Sequence, residues 1–248
     1  MNRNLKALGL ALVAVFAMTA VLASAAQAQT LGKVTVSPSP AWLTGEVIKH
    51  PEIGKIERFK LGGGQTVVCE EDTVAATVKN GDTSITFVPV FQKCSATIGT
   101  EAHLVTVTMN DCDFLLTDFT TEPVNSTTFS ATVSLVCPEG KQVEIHVYKH
   151  AADEIEELCT YKVAPFVDKG GNIIHNEPGE PNDLTITHEV KEIATTKTGS
   201  LLCGAANQEA TFTGSTTIKA WEDKGGFISN GTVFGLEEGK QGSVTISD

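Results

Sequence analysis

Basic residues are scarce in this chain: eighteen Lys and Arg stand against thirty Asp and Glu, for a net charge of −12. The few cations are scattered, so nothing gathers them to meet a phosphate backbone, and nucleic-acid binding is excluded as a class. Aromatic rings are also sparse, with two Trp and two Tyr. That is too few for an aromatic sugar-binding platform of Trp42, Trp221, Tyr148 and Tyr161; core or edge packing is expected of them. No two cysteines are spaced C-x-x-C, which removes zinc-knuckle and thioredoxin-type chemistry. There is no G-x-S-x-G elbow. Gly62-Gly63-Gly64 lacks the Lys and Ser/Thr that a phosphate cradle needs after its glycines. Past residue 30, nothing is long or apolar enough to span a bilayer, which takes about 20 residues.

What is present begins with an export signal. Arg3 and Lys6 precede an apolar run from Ala7 to Ala23, and Ala26-Gln27-Ala28 is a small-x-small cleavage site. Residues 1–28 are therefore read as a signal peptide, with the mature chain starting at Gln29 and no integral membrane segment after cleavage. Loss of Arg3 and Lys6 leaves 16 basic against 30 acidic residues, a charge of −14. The expected location is extracellular or on the cell surface.

All six cysteines, Cys69, Cys94, Cys112, Cys137, Cys159 and Cys203, follow the cleavage site. An even number in an exported chain reads as structural disulfides, and six cysteines allow fifteen pairings. Short-range hairpin logic favours Cys94 with Cys112 and Cys137 with Cys159, leaving Cys69 with Cys203. Thiols used this way are not nucleophiles.

The dominant pattern is period two, which is the signature of strands with one buried face. Thr127, Phe129, Ala131, Val133, Leu135 and Cys137 alternate with small hydroxyl side chains. Pro138-Glu139-Gly140 predicts a tight hairpin loop leading to Val143, Ile145 and Val147. A third strand, Leu158 to Ala164, carries Cys159. Asn80-Gly81 is the strongest hairpin turn, and Asn110-Asp111 is read as another turn. Glu70-Glu71-Asp72 is expected to split two short strands, and Asp168 to Asn182 to be loop. Leu201 to Cys203 is read as strand, and Ala151 to Leu158 as the single helical turn. About fourteen short strands at these intervals predict an all-β, disulfide-braced antiparallel β-sandwich. The polar stretch Thr120 to Asn125 is the candidate boundary between one half at 29–122 and another at 123–248, which one continuous domain can equally accommodate. Cys69 and Cys203 each precede a Thr-rich strand, an echo that suggests a diverged duplication.

Candidate chemistry is thin. His146 and His150 would chelate a metal on a helix, but on a strand they stand about 13 Å apart. His188-Glu189-Val190-Lys191-Glu192 begins like a zinc-protease motif and has Glu where the second His belongs. The acidic groups 153–157 and 177–183 lack calcium-loop spacing and read as solvated loops. Asp111 and Asp113 flank Cys112 on one strand face, as a carboxylate pair for acid–base work would. Asn125-Ser126-Thr127 and Asn230-Gly231-Thr232 match the glycosylation acceptor pattern.

Taken in order, Leu10 to Phe16, Val67-Val68-Cys69, Phe91 to Cys94, Asn110 to Phe114, Val136-Cys137 with Glu139-Gly140, Cys159-Thr160-Tyr161, and Cys203 with Phe212-Thr213-Gly214 resemble an uncharacterised family of exported, six-cysteine, β-rich bacterial (actinobacterial) proteins. The resemblance implies a shared disulfide-braced fold and no assigned activity. The expected function is that of a non-catalytic surface or cell-wall-associated module. It would be structural or bind as an adhesin does, with a wall or extracellular glycan or protein as partner and no cofactor. Two alternatives carry discriminators. A carbohydrate-acting hydrolase needs a cleft with convergent carboxylates, and a small-ligand carrier needs an apolar cavity inside a closed barrel.

Overall fold

The computed structural model describes residues 31–48, 57–62, 64–122, 125–150, 155–168, 170, 172–178, 181–204, 208–223, 227–229, 232–234 and 240–247. The expected signal peptide lies outside them, as do Asn230 and Gly231. Leu31–Asp248 forms one compact unit. Its strands are β1 (Lys33–Ser37), β2 (Ala41–Ile48), β3 (Glu57–Lys60), β4 (Thr66–Val78), β5 (Ile85–Ile98) and β6 (Glu101–Thr108). Next come β7 (Asp113–Glu122), β8 (Asn125–Val136), β9 (Val143–His150), β10 (Ile155–Val163), β11 (Phe166–Asp168) and β12 (Ile173–Glu177). The last are β13 (Asp183–Gly199), β14 (Gln208–Glu222), β15 (Phe227–Ser229), β16 (Thr232–Phe234) and β17 (Gln241–Ser247).

Fifteen strands join one antiparallel hydrogen-bonded network, and β15 pairs with β16 apart from it. The all-β, antiparallel, disulfide-braced class is thus as the alternation predicts. The register shows an order that strand counting does not. β2 and β3 follow one another along β4, and β6 and β7 along β5. β7 and β6 in turn pair with β8 and β9, and these with β12, β11 and β10. β2 with β3, β4, β5, β6 with β7, β8 with β9, β10 with β11 and β12, β13, and β14 therefore make eight runs, each antiparallel to the next. β14, the eighth, pairs with β2 and β3, the first. The meander closes into a barrel in place of the expected sandwich, because β14 pairs with β2 and β3 as well as with β13, and closure removes free edges. β17 joins β14 at Ala220 and Trp221, β1 pairs β17, and Val34, Val36, Val244 and Ile246 join the core.

Besides bulges at Thr117–Thr120 on β7 and Glu157–Cys159 on β10, several runs are interrupted at a common level. On β4 the inward side chains change from Val67 and Cys69 to Asp72, Ala76 and Val78. On β5 they change from Ile85, Phe87 and Pro89 to Cys94 and Ala96, with Lys93 at φ 49° between them. On β13 they change from Leu184, Ile186 and Val190 to Ile193, across a bulge holding Glu192 at φ 57°. Asn110 and Asp111 take φ 52° and 62° where β6 gives way to β7. Positive φ in side-chain-bearing residues at bulges of this kind re-aims a strand and flips its faces. The result is a girdle of irregularities around the barrel.

Several expectations are corrected here. Asn110-Asp111 does not reverse the chain; β6 and β7 run the same way along β5. Pro138 to Gly140 is a turn, with Lys141 N–H donating to the Pro138 carbonyl at 2.9 Å, but β8 and β9 do not pair with each other. The turn carries the fifth run across the girdle. β4 is continuous through its acidic residues, where β2 and β5 pair with it on both edges; Lys93 pairs with Glu71, and Asp72 turns inward. Within the expected loop Asp168–Asn182, Ile173–Glu177 is a strand paired on both edges; tertiary pairing overrides local composition there. Ile155 to Leu158 is strand rather than helix, and residues 151–154 lie outside the described set. Leu201–Cys203 is a 3-10 turn rather than a strand, capped by Ser200, whose hydroxyl accepts from Leu202 N–H. β7 and β8 pair across the expected boundary at Thr120 to Asn125.

The disulfides are Cys69–Cys94, Cys112–Cys137 and Cys159–Cys203, so all three favoured pairings are overturned. Hairpin logic failed because the runs break. Cys94 lies opposite Cys69 on β4 and Val105 on β6, whereas Cys112 comes only after β6 has ended. Cys137 follows Val136, which faces Asp113, so the girdle excursions of the fourth and fifth runs bring Cys112 and Cys137 together. Cys159–Cys203 ties β10 to the turn before β14. There the buried Tyr161 hydroxyl donates to the Cys203 carbonyl, and burial pushes the phenol pKa up to about 12. Closing loops of 25, 25 and 44 residues stabilises the fold by about 3–4 kcal/mol each in the chain-entropy model. Replacing Cys112 and Cys137 together by Ser should lower unfolding stability by about 3 kcal/mol in urea titrations. Non-reducing peptide maps of the wild type should contain only the three linkages above.

Candidate functional site

Three neighbouring strands turn polar groups into the barrel just beside the girdle. β3 presents Glu57 and Phe59 inward, β14 presents Phe212, Gly214 and Thr216, and β13 presents His188 and Val190. The register sets Phe59 against Phe212 and Phe212 against Val190. Two residues along, His188 is in register with Gly214, and the Glu57 carboxylate lies against the same glycine. β3 and β13 flank β14 and so stand roughly 10 Å apart. Glu57 and His188 nonetheless meet, His188 Nε2 lying 2.9 Å from Glu57 Oε2.

Gly214 is what permits this. A Cβ at that position would lie 2.0 Å from Glu57 Oε2 and 2.2 Å from its Cδ. The carboxylate occupies the space where any other residue has a side chain. Its second oxygen accepts from the Thr216 hydroxyl at 3.3 Å. Glu57 is 2% exposed and the His188 side chain 12%. A carboxylate this deep needs both partners, since an unpaired buried charge costs several kcal/mol.

Phe212 is the hub of the surrounding rings. Phe59 stacks on it at 4.4 Å between centroids, Phe114 at 5.6 Å, and Phe91 meets it edge-on at 6.1 Å. The His188 ring lies 4.4 Å from it. Beyond these rings is a chamber of about 60 Å³. Seven of the eight runs contribute to its wall, so it is the interior of the barrel. The wall is apolar except for Glu57, His188, Thr216 and Asp72. Asp72 is 3% exposed. No lysine or arginine lines the chamber among the described residues.

A second hollow lies where the fourth run leaves β5 at the girdle. It is a slot of about 520 Å³ between Val88–Phe91 and the excursion from Val107 to Asp113, with Lys141 at its rim. It holds the expected carboxylate pair, Asp111 and Asp113. Partial burial, then the Asp111 charge, raises the Asp113 pKa above the ordinary 3.8.

The other singled-out residues are dispersed. His146 sits on the outer sheet face between Glu144 and Glu157, at 3.5 and 3.3 Å. His150 belongs to β9, and its side chain is outside the described set. Trp42 and Trp221 face each other across β2 and β14, and their indole N–H groups donate to Asp223 and Thr44. Tyr148 is far from them along the meander and Tyr161 is buried, so the four rings form no platform. All six cysteines serve as cross-links.

No protein-family model, curated protein or solved structure matches this chain.

Sequence reading missed Glu57, His188, Phe212 and Gly214 as a set. The signal was there in the spacing. His188 continues Leu184 and Ile186 on one strand face, and Glu57 shares a face with Phe59 and Leu61. Charged groups on an apolar face need partners. Nothing in the sequence says that the two faces meet across a glycine.

Two outcomes follow from this geometry. Gly214→Ala should lose about 3 kcal/mol of unfolding stability, because the methyl displaces Glu57 and breaks a buried pair; urea titration measures it. Asp113→Asn should raise Tm at pH 7. The raised native pKa means Asp113 contributes stability only when protonated, fully below pH 3.8 and progressively lost as pH rises through its native pKa. The gain from Asn should therefore vanish in melts recorded near pH 3.

Proposed function

We propose that this is an exported, non-catalytic binding protein that holds a small, largely apolar ligand inside its barrel. The observation that carries the reading is the chamber. An eight-run barrel is just wide enough either to be filled by side chains or to hold one small ligand. Here the part beside Phe212 keeps an apolar space with a polar end formed by Glu57, His188 and Thr216. The six oxidised cysteines and the amino-terminal signal pattern support a place outside the cytoplasm. No helix among the described residues is long and apolar enough to cross a membrane.

A surface-adhesion reading has its own support on the outside of the same strands. Thr187 meets Ser215 as an exposed cross-strand hydroxyl pair at 3.2 Å. Such a pair offers a glycan hydrogen-bonding positions, and a glycan array would detect binding there.

Xenon and ethanol, both smaller than benzene, decide whether the chamber is used. Both should shift the methyl resonances of Val133, Ile186 and Ile218, which line it, and raise Tm. Val133→Phe should abolish both effects by filling the space. Shifts confined to other residues, or shifts that survive in the Val133→Phe protein, would refute the ligand-holding reading.

A further inference from the structure

The barrel wall has a gap beside the chamber, and we propose that the ligand passes through it: a linear aliphatic chain with one end in the chamber and the rest in the slot at the girdle. This rests on the ligand-holding reading and adds the shape of the ligand and its way in. The strand register shows the gap. On the side of β5 that faces the fourth run, Ile85 to Phe87 pair with β7, and Cys94 to Ile98 pair with β6. No described residue pairs in a ladder with Val88 to Lys93 on that side. At the rise of a strand, that stretch spans roughly 20 Å. Pro89 sits within it, and proline, with no N–H to donate, is confined to strand edges and bulges.

The two hollows meet at this gap. Pro89 and Phe91 line both the chamber and the slot. On the opposite lip, Phe114 lines the chamber and its neighbour Asp113 the slot. Side chains therefore separate the hollows, with no strand ladder across the opening. Phe91 is only partly buried and meets Phe212 edge-on at 6.1 Å. Moving its ring breaks no backbone hydrogen bond, unlike the parting of two paired strands.

Size and lining set the class of ligand. The chamber, at about 60 Å³, is well below the about 150 Å³ of an apolar protein cavity that admits benzene. The slot offers about 520 Å³. A ligand confined to the chamber buries little surface, and affinity grows with the apolar surface removed from water. A chain that continues into the slot adds contacts with Val88, Val90, Val107 and Met109. An unbranched chain is the narrowest body that can occupy both hollows at once. A hydroxyl on it finds a carboxylate acceptor at either end, Glu57 within and Asp111 or Asp113 without.

Ethanol, 1-butanol and 1-hexanol test this on the disulfide-intact protein at pH 7. The methyl resonances of Val133, Ile186 and Ile218 report on the chamber, and those of Val88, Val90 and Met109 on the slot. Each methylene that leaves water for the slot tightens binding by up to about fourfold. Hexanol should have a Kd at least about tenfold below that of ethanol, with butanol between them, and should shift both sets of methyls with one midpoint. Val90→Trp, which fills the slot, should bring hexanol to the level of ethanol and leave ethanol unchanged. Should Val90→Trp fail to fold, as judged by its near-ultraviolet circular dichroism, Met109→Trp is read by the same criterion. Hexanol no tighter than ethanol, or slot and chamber shifts with different midpoints, would overturn the spanning chain and leave the ligand-holding reading standing. A hexanol preference that persists in the folded variant would overturn it too. Chamber methyls that respond to none of the alcohols would bring down both.

Discussion

Closure of the sheet is the constraint on which the rest of this structure depends. The eighth run has to pair with the first while still pairing with the seventh, so β14 is bordered on both sides along most of its length. A strand bordered on both sides has no edge to lose, and its inward face is committed to the core. Ala210, Phe212, Thr216, Ile218 and Ala220 meet that demand with alternating buried side chains. Gly214, in the same series, carries no side chain, and there a carboxylate from β3 and an imidazole from β13 meet over the backbone between them.

The girdle solves a second problem that closure creates. Runs as long as 101–122 and 125–150 would twist and coil beyond what a straight ladder tolerates. Bulges absorb that twist at the cost of hydrogen bonds and of local strain. Lys93, Asn110, Asp111 and Glu192 hold the positive φ angles that go with it. Two disulfides lie at this level, Cys69–Cys94 beside the change of face on β4 and β5, and Cys112–Cys137 across the excursions of the fourth and fifth runs. Cys112–Cys137 stands where the ladder is interrupted, between β6 and β7 and between β8 and β9, whereas Cys69–Cys94 joins an in-register pair at the change of face. Cys159–Cys203 ties down a turn whose neighbours Leu201 and Leu202 are exposed.

Much of this was legible in the residues, and the limit is physical. Alternation identified strands because a buried face leaves a period-two trace whatever the partner strand is. The runs around Phe129–Leu135 and Val143–Val147 show it clearly. Asn80-Gly81 marked its hairpin because positive φ needs a particular residue there, and Gly81 adopts φ 89°. Pairing partners left no such trace. Pro138-Glu139-Gly140 looks the same locally whether the chain doubles back or steps across a girdle, and that ambiguity misdirected the cysteines. The bulges did leave a mark in the change of inward parity, as from Val190 to Ile193. The polar end of the chamber was half legible, as a His and a Glu on apolar faces whose meeting depends on contacts 131 residues apart.

The buried pair itself needs a reason, because stability does not supply one. Replacing a buried ion pair with well-packed apolar residues is commonly neutral or stabilising by about 1–4 kcal/mol. A Leu or Phe at position 57 would extend the apolar wall that Phe59 and Leu61 begin, and a small apolar residue at 188 would continue Leu184 and Ile186. This chain instead buries a carboxylate, empties position 214 of its side chain to make room, and supplies an imidazole and a hydroxyl to hold it. Fixing strand register is one return on that cost. Register here is already set by β14 being paired on both edges, by the stacked Phe59–Phe212 pair, and by a disulfide between β4 and β5. What the apolar alternative could not provide is a rigid anionic acceptor facing an otherwise hydrophobic space. On the proposed ligand-holding reading, that acceptor makes Glu57 part of a binding surface as well as of the frame.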